Sequence, residues 1–257
     1  MNLQLNTKLA DGYVSNSQIA RVLTEDWVKN NTYCPQCGAI NLDVYKNNKP
    51  VADFFCKLCM EDFELKSKNG ILSNKIVDGA YHTMIDRIAS DKNPNFFFLT
   101  YNKSNWSVNN FIIIPKHFFV KEIIQERKPL AVSAKRAGWI GCNIDLLKIP
   151  ELGKIYLIKN ASIIKQGNVL ANWSKTLFLK NKPIEAKGWT LEILRCIDRT
   201  KEPEFKLEDI YEFEKTLQAK YPNNHFIKDK IRQQVQILRD KGIIEFKSKG
   251  VYRKISE

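Results

Sequence analysis

The chain has 257 residues, of which 44% are hydrophobic and 11% aromatic. This composition excludes a disordered tail, and the length suits two domains of ordinary size. The formal net charge of +13 at pH 7 predicts a polyanionic partner, either nucleic acid or an anionic membrane surface, although many proteins are moderately basic without one.

The N-terminal sequence and the six cysteines indicate where in the cell the protein is expected. No basic segment followed by an apolar run opens the chain, so we expect no signal peptide. No stretch approaches the roughly 18 apolar residues that span a bilayer, so we expect no membrane partner. A cytoplasmic location follows, where thiols stay reduced. Cys142 and Cys196 stand in apolar surroundings and are expected to be core residues.

The first predicted element is a helix. Ser15 and Ser17 are candidate caps, and Ile19, Leu23 and Trp27 fall on one helical face behind them. Glu25 on this helix is a possible third acidic group for the site described next, but an exposed helix charge is the simpler interpretation.

Two C-x-x-C pairs follow, formed by Cys34 with Cys37 and by Cys56 with Cys59. Paired knuckles of this kind close a tetrahedral four-thiolate site, which suits Zn²⁺ because zinc tolerates sulfur and has no redox chemistry. All four positions are protein ligands, so a structural role is predicted. The rival is a dithiol redox pair, for which one C-x-x-C would suffice.

Acidic groups precede and follow the second knuckle, and a lysine stands beside the acids that follow it. Residues 51–55 alternate in the manner of a strand around Asp53, and residues 61–67 alternate likewise, so Glu64 and Lys66 point to the same side. If the two strands are adjacent, the three side chains meet and two carboxylates hold Mg²⁺, with the Leu65 carbonyl as a further ligand. Lys66 would orient and deprotonate a water. Alone, a Glu-x-Lys pattern usually marks a solvated strand face.

A second helix is predicted at about 76–90, with Ser73 and Asn74 as caps. The apolar runs 96–101, 111–114 and 154–158 are short and rich in aromatic and β-branched residues, which predicts buried strands. The resulting order indicates a mixed α/β domain. The polar stretch 180–183 is the best linker, so we predict domains at 1–182 and 183–257.

Within the first domain, Lys135, Arg136 and Trp139 suggest a loop that contacts DNA, with Trp139 stacking on or wedging between bases. A tryptophan is more often a core residue, and that alternative stays open.

The C-terminal part predicts three helices, at 189–197, 207–217 and about 227–241, followed by a hairpin over 243–254 with Gly250 in the turn. This is the order of a winged helix, and its third helix and wing are basic. The predicted DNA contacts are Lys228, Arg232, Gln233, Gln236, Arg239, Lys249 and Arg253. A winged helix used for protein contact is the alternative.

Several segments together resemble a known family along essentially the whole chain. The segments are 16–18, 23–27, 50–53, 63–67, 95–100, 136–145 and 230–240. They resemble the DpnI-like methyl-directed restriction endonucleases of the PD-(D/E)XK superfamily. The Pro and Asp of that motif are separated here by Val51 and Ala52.

The resemblance implies a PD-(D/E)XK nuclease domain with an embedded zinc site, followed by a winged helix. It implies Mg²⁺-dependent double-strand cleavage within G-A-T-C carrying methylated adenine, with both domains reading the site. We expect a monomer, and whether one molecule or two cut the two strands stays open. The family's catalytic and metal-binding residues fall on Asp53, Glu64 and Lys66, and its zinc ligands on the four knuckle cysteines. The rivals are a zinc-ribbon, winged-helix regulator that binds DNA without cutting it, and a nuclease of changed specificity.

Overall fold

The computed structural model of the protein describes residues 1–45, 52–90 and 92–255. Pro50 and Val51, which belong to the predicted motif and strand, lie outside the described residues. The chain forms two compact units, Met1–Ile149 with Gly153–Ser174 and Pro150–Leu152 with Lys175–Glu257. The predicted domain boundary after residue 182 stays a prediction. Among the helices of the described residues, none is both long and apolar enough to cross a bilayer.

The first unit combines strands from two sheets with helices. Its strands are β1 (Asp43–Val44), β2 (Phe54–Phe55), β3 (Asp62–Asn69), β4 (Lys75–Ala80), β5 (Asn95–Asn102), β6 (Ser107–Ile114), β7 (Ile124–Glu126), β8 (Gly141–Asp145), β9 (Ile155–Lys159) and β10 (Ser162–Ile163). Its helices are α1 (Asn16–Asn31), α2 (Tyr81–Ala89) and α3 (Gln166–Thr176), the last of which was not predicted.

Within the described residues, the larger sheet has seven strands in the order β1-β2-β3-β5-β6-β9-β10. Strand β3 runs parallel to β5, and the other neighbours are antiparallel. The smaller sheet has the order β4-β8-β7. The mixed sheet with helices confirms the predicted mixed α/β class.

The centre of the larger sheet is apolar on both faces. Every residue of β5 from Asn95 to Tyr101 is buried, including four in a row, Phe96 to Leu99. Trp27 of α1 packs edge-on against Phe111 of β6, with ring centroids 5.4 Å apart. These strands confirm the prediction from the apolar runs, because a strand covered on both faces has no polar alternation.

The first predicted helix is confirmed by α1, which buries Leu23 and Trp27. The second prediction is partly wrong, because its first residues form β4, and α2 begins only at Tyr81. Ile76 pairs with Ile144 of β8. Two β-branched residues and a glycine in this segment favour a strand over a helix. The Ser73 hydroxyl donates to the Lys75 carbonyl instead of capping a helix.

The second unit contains a helix-turn-helix domain with a wing. Its elements are α4 (Ile184–Arg199), β11 (Glu204–Lys206), α5 (Leu207–Tyr211), α6 (Glu214–Lys220), α7 (Ile227–Asp240), β12 (Ile244–Ser248) and β13 (Val251–Lys254). Among the described residues the wing sheet has the order β11-β13-β12. The predicted helix at 207–217 is two short helices, and β11 was missed because three residues with one buried side chain give no detectable alternation.

The core of the second unit lies under α7. Ile227, Ile231, Val235 and Leu238 are buried, as their spacing predicted. The Thr190 hydroxyl of α4 donates a 2.7 Å hydrogen bond to the buried side-chain oxygen of Gln234. One face of α7 is therefore fixed against α4, and the opposite face is exposed.

Candidate active site and zinc centre

Asp53 lies immediately before β2, next to the strand that carries Glu64. Strands β2 and β3 are antiparallel neighbours, with Phe54 opposite Phe63. The Asp53 backbone N–H donates to the Phe63 carbonyl at 2.9 Å. Oδ2 of Asp53 accepts a 2.7 Å hydrogen bond from the backbone N–H of Leu65. The two predicted strands are therefore adjacent, and Asp53 is held beside the middle of β3.

Glu64 and Lys66 lie on the same side of β3, as the alternation predicted. Nζ of Lys66 is 2.6 Å from Oε1 of Glu64. It is also 2.5 Å from Oδ1 of Asp78, on β4. The other Glu64 oxygen, Oε2, is 3.3 Å from Nη1 of Arg87, on α2. The four charged groups form one network that joins both sheets and α2.

Burial shifts the titration of this network. It raises the pKa of Glu64, a shift that Lys66 and Arg87 oppose and Asp78 reinforces. Burial alone would lower the pKa of Lys66, but the Glu64 and Asp78 carboxylates outweigh it and raise that pKa. Lys66 is therefore an ammonium at neutral pH and donates hydrogen bonds.

A cavity of about 550 Å³ opens along this part of β3. Its lining includes Asp53, Glu64, Leu65 and Lys66, and also Glu25 of α1. The carboxylate of Glu25 pairs with Arg21 one helical turn earlier, at 2.7 Å. Carboxylate oxygens and a backbone carbonyl are the donors that Mg²⁺ prefers, so the residues of this cavity suit that cation.

The side chains of the four knuckle cysteines form one cluster. Their sulfur atoms all lie within 4.8 Å of one another, and two pairs, Cys34 with Cys59 and Cys37 with Cys56, are 3.5 Å apart. A tetrahedral ion with metal–sulfur bonds of 2.3 Å has sulfurs about 3.8 Å apart. Burial raises the pKa of Cys34, so its thiolate needs a cation. The cluster can therefore hold Zn²⁺.

The two knuckles share one backbone geometry. The residue after the second cysteine of each pair, Gly38 or Met60, has a positive φ of 78° or 58°. Its N–H donates to the carbonyl of the first cysteine, Cys34 or Cys56, at 2.9 Å in both cases. Met60 adopts this conformation without being glycine, which strains the second turn.

The predicted contacts on α7 lie on its exposed side. Arg232, Gln233, Gln236 and Arg239 are all exposed. Some of the basic groups have partners in their own domain. Lys228 lies 3.4 Å from Glu214, and Arg232 donates to the Tyr211 hydroxyl at 3.3 Å.

Ion pairs also hold Arg239 and one of the two predicted contacts on the wing. Arg239 at the end of α7 pairs with its neighbour Asp240 at 2.8 Å. Arg253 of β13 pairs with Glu204 of β11 at 2.6 Å, and Lys249 in the turn of the wing is exposed. Arg253 would have to give up an ion pair before it could contact a phosphate.

The predicted loop of the first unit connects β7 with β8. Lys135 and Arg136 are exposed and Trp139 is half-buried. The Arg136 guanidinium lies over the Trp139 ring, 4.4 Å from its centroid. A Cβ added at Gly141 would come within 2.8 Å of that ring, so the indole packs directly on the glycine backbone. The Trp139 side chain is therefore packed on one side and partly open to solvent, so it is not a core residue.

Two residues of the network were not predicted, Asp78 and Arg87. Asp78 was assigned to a helix that proved to be β4, which hid its pairing position opposite Cys142. An acidic side chain in phase with buried Ile76 along a strand was the available signal. Arg87 follows the apolar Met84 and Ile85 on α2, and no sequence feature marks it as different from a surface arginine.

Two protein-family models match the chain. The DpnI model, described as the Dam-replacing family, matches residues 1–182. The DpnI_C model, described as the Dam-replacing HTH domain, matches residues 185–254.

Proposed function

Because the chain belongs to the DpnI (Dam-replacing) family of methyl-directed restriction enzymes, we propose that it hydrolyses both strands of DNA within G-A-T-C when the adenine carries a methyl on its exocyclic amine. The family implies a methyl-directed nuclease that binds DNA through a helix-turn-helix domain. The G-A-T-C site and the dependence on Mg²⁺ are our proposal.

One observation carries the chemistry. Asp53, Glu64 and Lys66 line a single cavity, and the Asp53 carboxylate is bonded to the backbone between the other two. Asp53, Glu64 and the Leu65 carbonyl would hold Mg²⁺. When bound, Mg²⁺ would stabilise the charge that develops on the phosphate and acidify the attacking water.

Lys66 would act as a charged donor. Its ammonium, held between Glu64 and Asp78, can orient the water and stabilise a phosphate oxygen. An ammonium cannot accept a proton, so Lys66 could deprotonate the water only after losing its own proton, and that part of our expectation stays a prediction. As long as Lys66 keeps its proton, the proton of the water would pass to solvent or to a phosphate oxygen.

The exposed side of α7 supports the DNA-binding part of the proposal. Gln233 and Gln236 can bond the edge of adenine, and Arg232 can bond guanine or phosphate. Lys135, Arg136 and Trp139 would add contacts from the first unit. Because each phosphate contact releases counterions, binding should weaken steeply as salt rises. We expect the protein to be a monomer in solution. Analytical ultracentrifugation, which measures the mass of the particle, would check this.

The test is plasmid cleavage with Mg²⁺ on methylated, hemimethylated and unmethylated G-A-T-C DNA, alongside the Asp53→Ala variant. Cleavage of methylated DNA only, abolished by the substitution, is the expected result. Cleavage regardless of methylation would keep the nuclease and reject the specificity. Tight DNA binding without cleavage in either protein would instead identify a zinc-ribbon, winged-helix regulator.

A further inference from the structure

Asp78 lies at the centre of the charged network but outside the residues proposed to hold Mg²⁺. Its Oδ1 is 2.5 Å from Nζ of Lys66, and its side chain is only 5% exposed. A buried carboxylate is costly without a partner, and the Lys66 ammonium supplies one. The pair is therefore a fixed part of the fold and not a passing surface contact.

The local backbone explains how Asp78 reaches Lys66. Asp78 belongs to β4 of the smaller sheet, whereas Lys66 belongs to β3 of the larger one. The register between β4 and β8 shifts after Asp78, so that Ala80 pairs with Gly141 and Gly79 is left over as a bulge. A bulge of this kind re-aims side chains next to it. The Cys142 thiol donates to the Gly79 carbonyl at 3.5 Å and helps to hold the bulge.

Glu64 alone is a poor anchor for Lys66. Its Oε1 faces Lys66 and its Oε2 faces Arg87, so both oxygens already have cationic partners. If the Glu64 carboxylate also binds Mg²⁺, the doubly charged ion competes with Lys66 for its oxygens. The four-carbon stem of lysine is flexible, so its amine moves away when a partner is lost. The Asp78 carboxylate is a second partner for the Lys66 amine, and it does not depend on Glu64.

We propose that Asp78 is a positioning residue that holds the Lys66 amine at the reacting phosphate. This inference rests on the proposed nuclease function. Asp78 acts through Lys66, so its loss should slow the chemical step and leave DNA binding intact. A purely structural ion pair would instead lower stability and affect both properties together.

The variants are Asp78→Asn, which removes the charge at nearly constant size, and Asp78→Glu, which keeps it. A cavity of about 150 Å³ lined by Asp78, Thr83 and Met84 gives the longer glutamate room. Asp86→Asn is the matched control, because Asp86 is an exposed acid on the neighbouring α2. The measurements are the single-turnover cleavage rate, the affinity for methylated DNA without metal, and the thermal midpoint, with rates taken where every variant is folded.

We expect Asp78→Asn to slow cleavage by about 10- to 100-fold at unchanged DNA affinity, the range typical of residues that orient the groups of a metal site from outside it. Asp78→Glu should restore most of the rate, and Asp86→Asn should match the wild type. An unchanged rate in Asp78→Asn, equal losses in Asp78→Asn and Asp78→Glu, or a parallel loss of DNA affinity would overturn the inference. A wild type that binds methylated DNA without cutting it would reject the proposed function itself.

Discussion

The carboxylate of Asp53 accepts a 2.7 Å hydrogen bond from the backbone N–H of Leu65, the residue between Glu64 and Lys66. A strand backbone is stiffer than a side chain, so this bond fixes the Asp53 carboxylate relative to both neighbours of Leu65. The same carboxylate is proposed to hold Mg²⁺. It therefore has a structural and a chemical role, and the two can be separated by substitution.

Asp53→Asn and Asp53→Ala should differ in stability but not in activity. Asparagine keeps an oxygen that accepts from the Leu65 N–H, whereas alanine leaves that N–H unpaired, at a cost of about 1–3 kcal/mol. Both changes remove the charge, so both should abolish cleavage of methylated DNA. Denaturant unfolding measures the difference in stability, and plasmid cleavage measures the loss of activity. Full activity in Asp53→Asn would show that no cation depends on this carboxylate.

Cys37→Ala should release zinc and also stop cleavage. The substitution removes one of four ligands, and the zinc content should fall from about one per chain to near zero. Cleavage should fall as well, because Cys56 directly follows β2 and Asp53 directly precedes it. Metal content by mass spectrometry is the measurement. Cys196→Ala, at a buried thiol of the second unit, is the control and should keep its zinc. Undiminished zinc in Cys37→Ala would contradict the predicted ligand set.

Met60→Gly should stabilise the zinc-loaded protein. Met60 has a φ of 58° and is 76% exposed, so glycine relieves backbone strain and loses little packing. The expected gain is about 0.5–1 kcal/mol after the added freedom of the unfolded chain is subtracted. Leu58→Gly, also at an exposed position of this knuckle but without a positive φ, should destabilise. Thermal midpoints in excess zinc compare the two, and equal shifts would refute the strain argument.

Arg232→Ala should weaken DNA binding and its salt dependence. If Arg232 contacts a phosphate, the slope of log affinity against log salt should fall in magnitude by about 1. Titrations at several salt concentrations measure that slope. Lys215→Ala is the control, since Lys215 is an exposed cation on α6 of the same unit. If both variants lose the same affinity, the exposed side of α7 is not the DNA-binding surface.

The sequence predicted those parts of the fold whose signal is local. The apolar run of β5 and the spacing of buried residues in α7 each have one physical explanation, and each is present. The paired knuckles bring their four sulfur atoms together, as their spacing predicted. The parts that failed depend on distant partners. Residues 76–80 form a strand only because β8 is available to pair with them, and Asp78 reaches Lys66 only through the bulge in that pairing.

In the candidate active site, too, the local relationships were predicted and the long-range ones were not. Glu64 and Lys66 could be placed on one side of a strand by alternation alone. The ion pair of Glu64 with Arg87 could not, because it depends on how α2 packs against the strands. The predicted contacts on α7 are exposed as expected, whereas the partner of Arg253 came from β11, a strand too short to be recognised.

The parallel pairing of β3 with β5 has a consequence for the order of folding. Glu64 of β3 lies opposite Phe96 of β5, and β4 and α2 lie between the two strands in the chain. The β5–β6 hairpin is closed by a short turn and can form locally, but β3 must wait for it. A chain emerging from the ribosome can therefore pair β2 with β3, and so bring Asp53 beside Leu65, before the strand on the other side of β3 exists. The candidate site is set on a strand whose second neighbour is synthesised about thirty residues later.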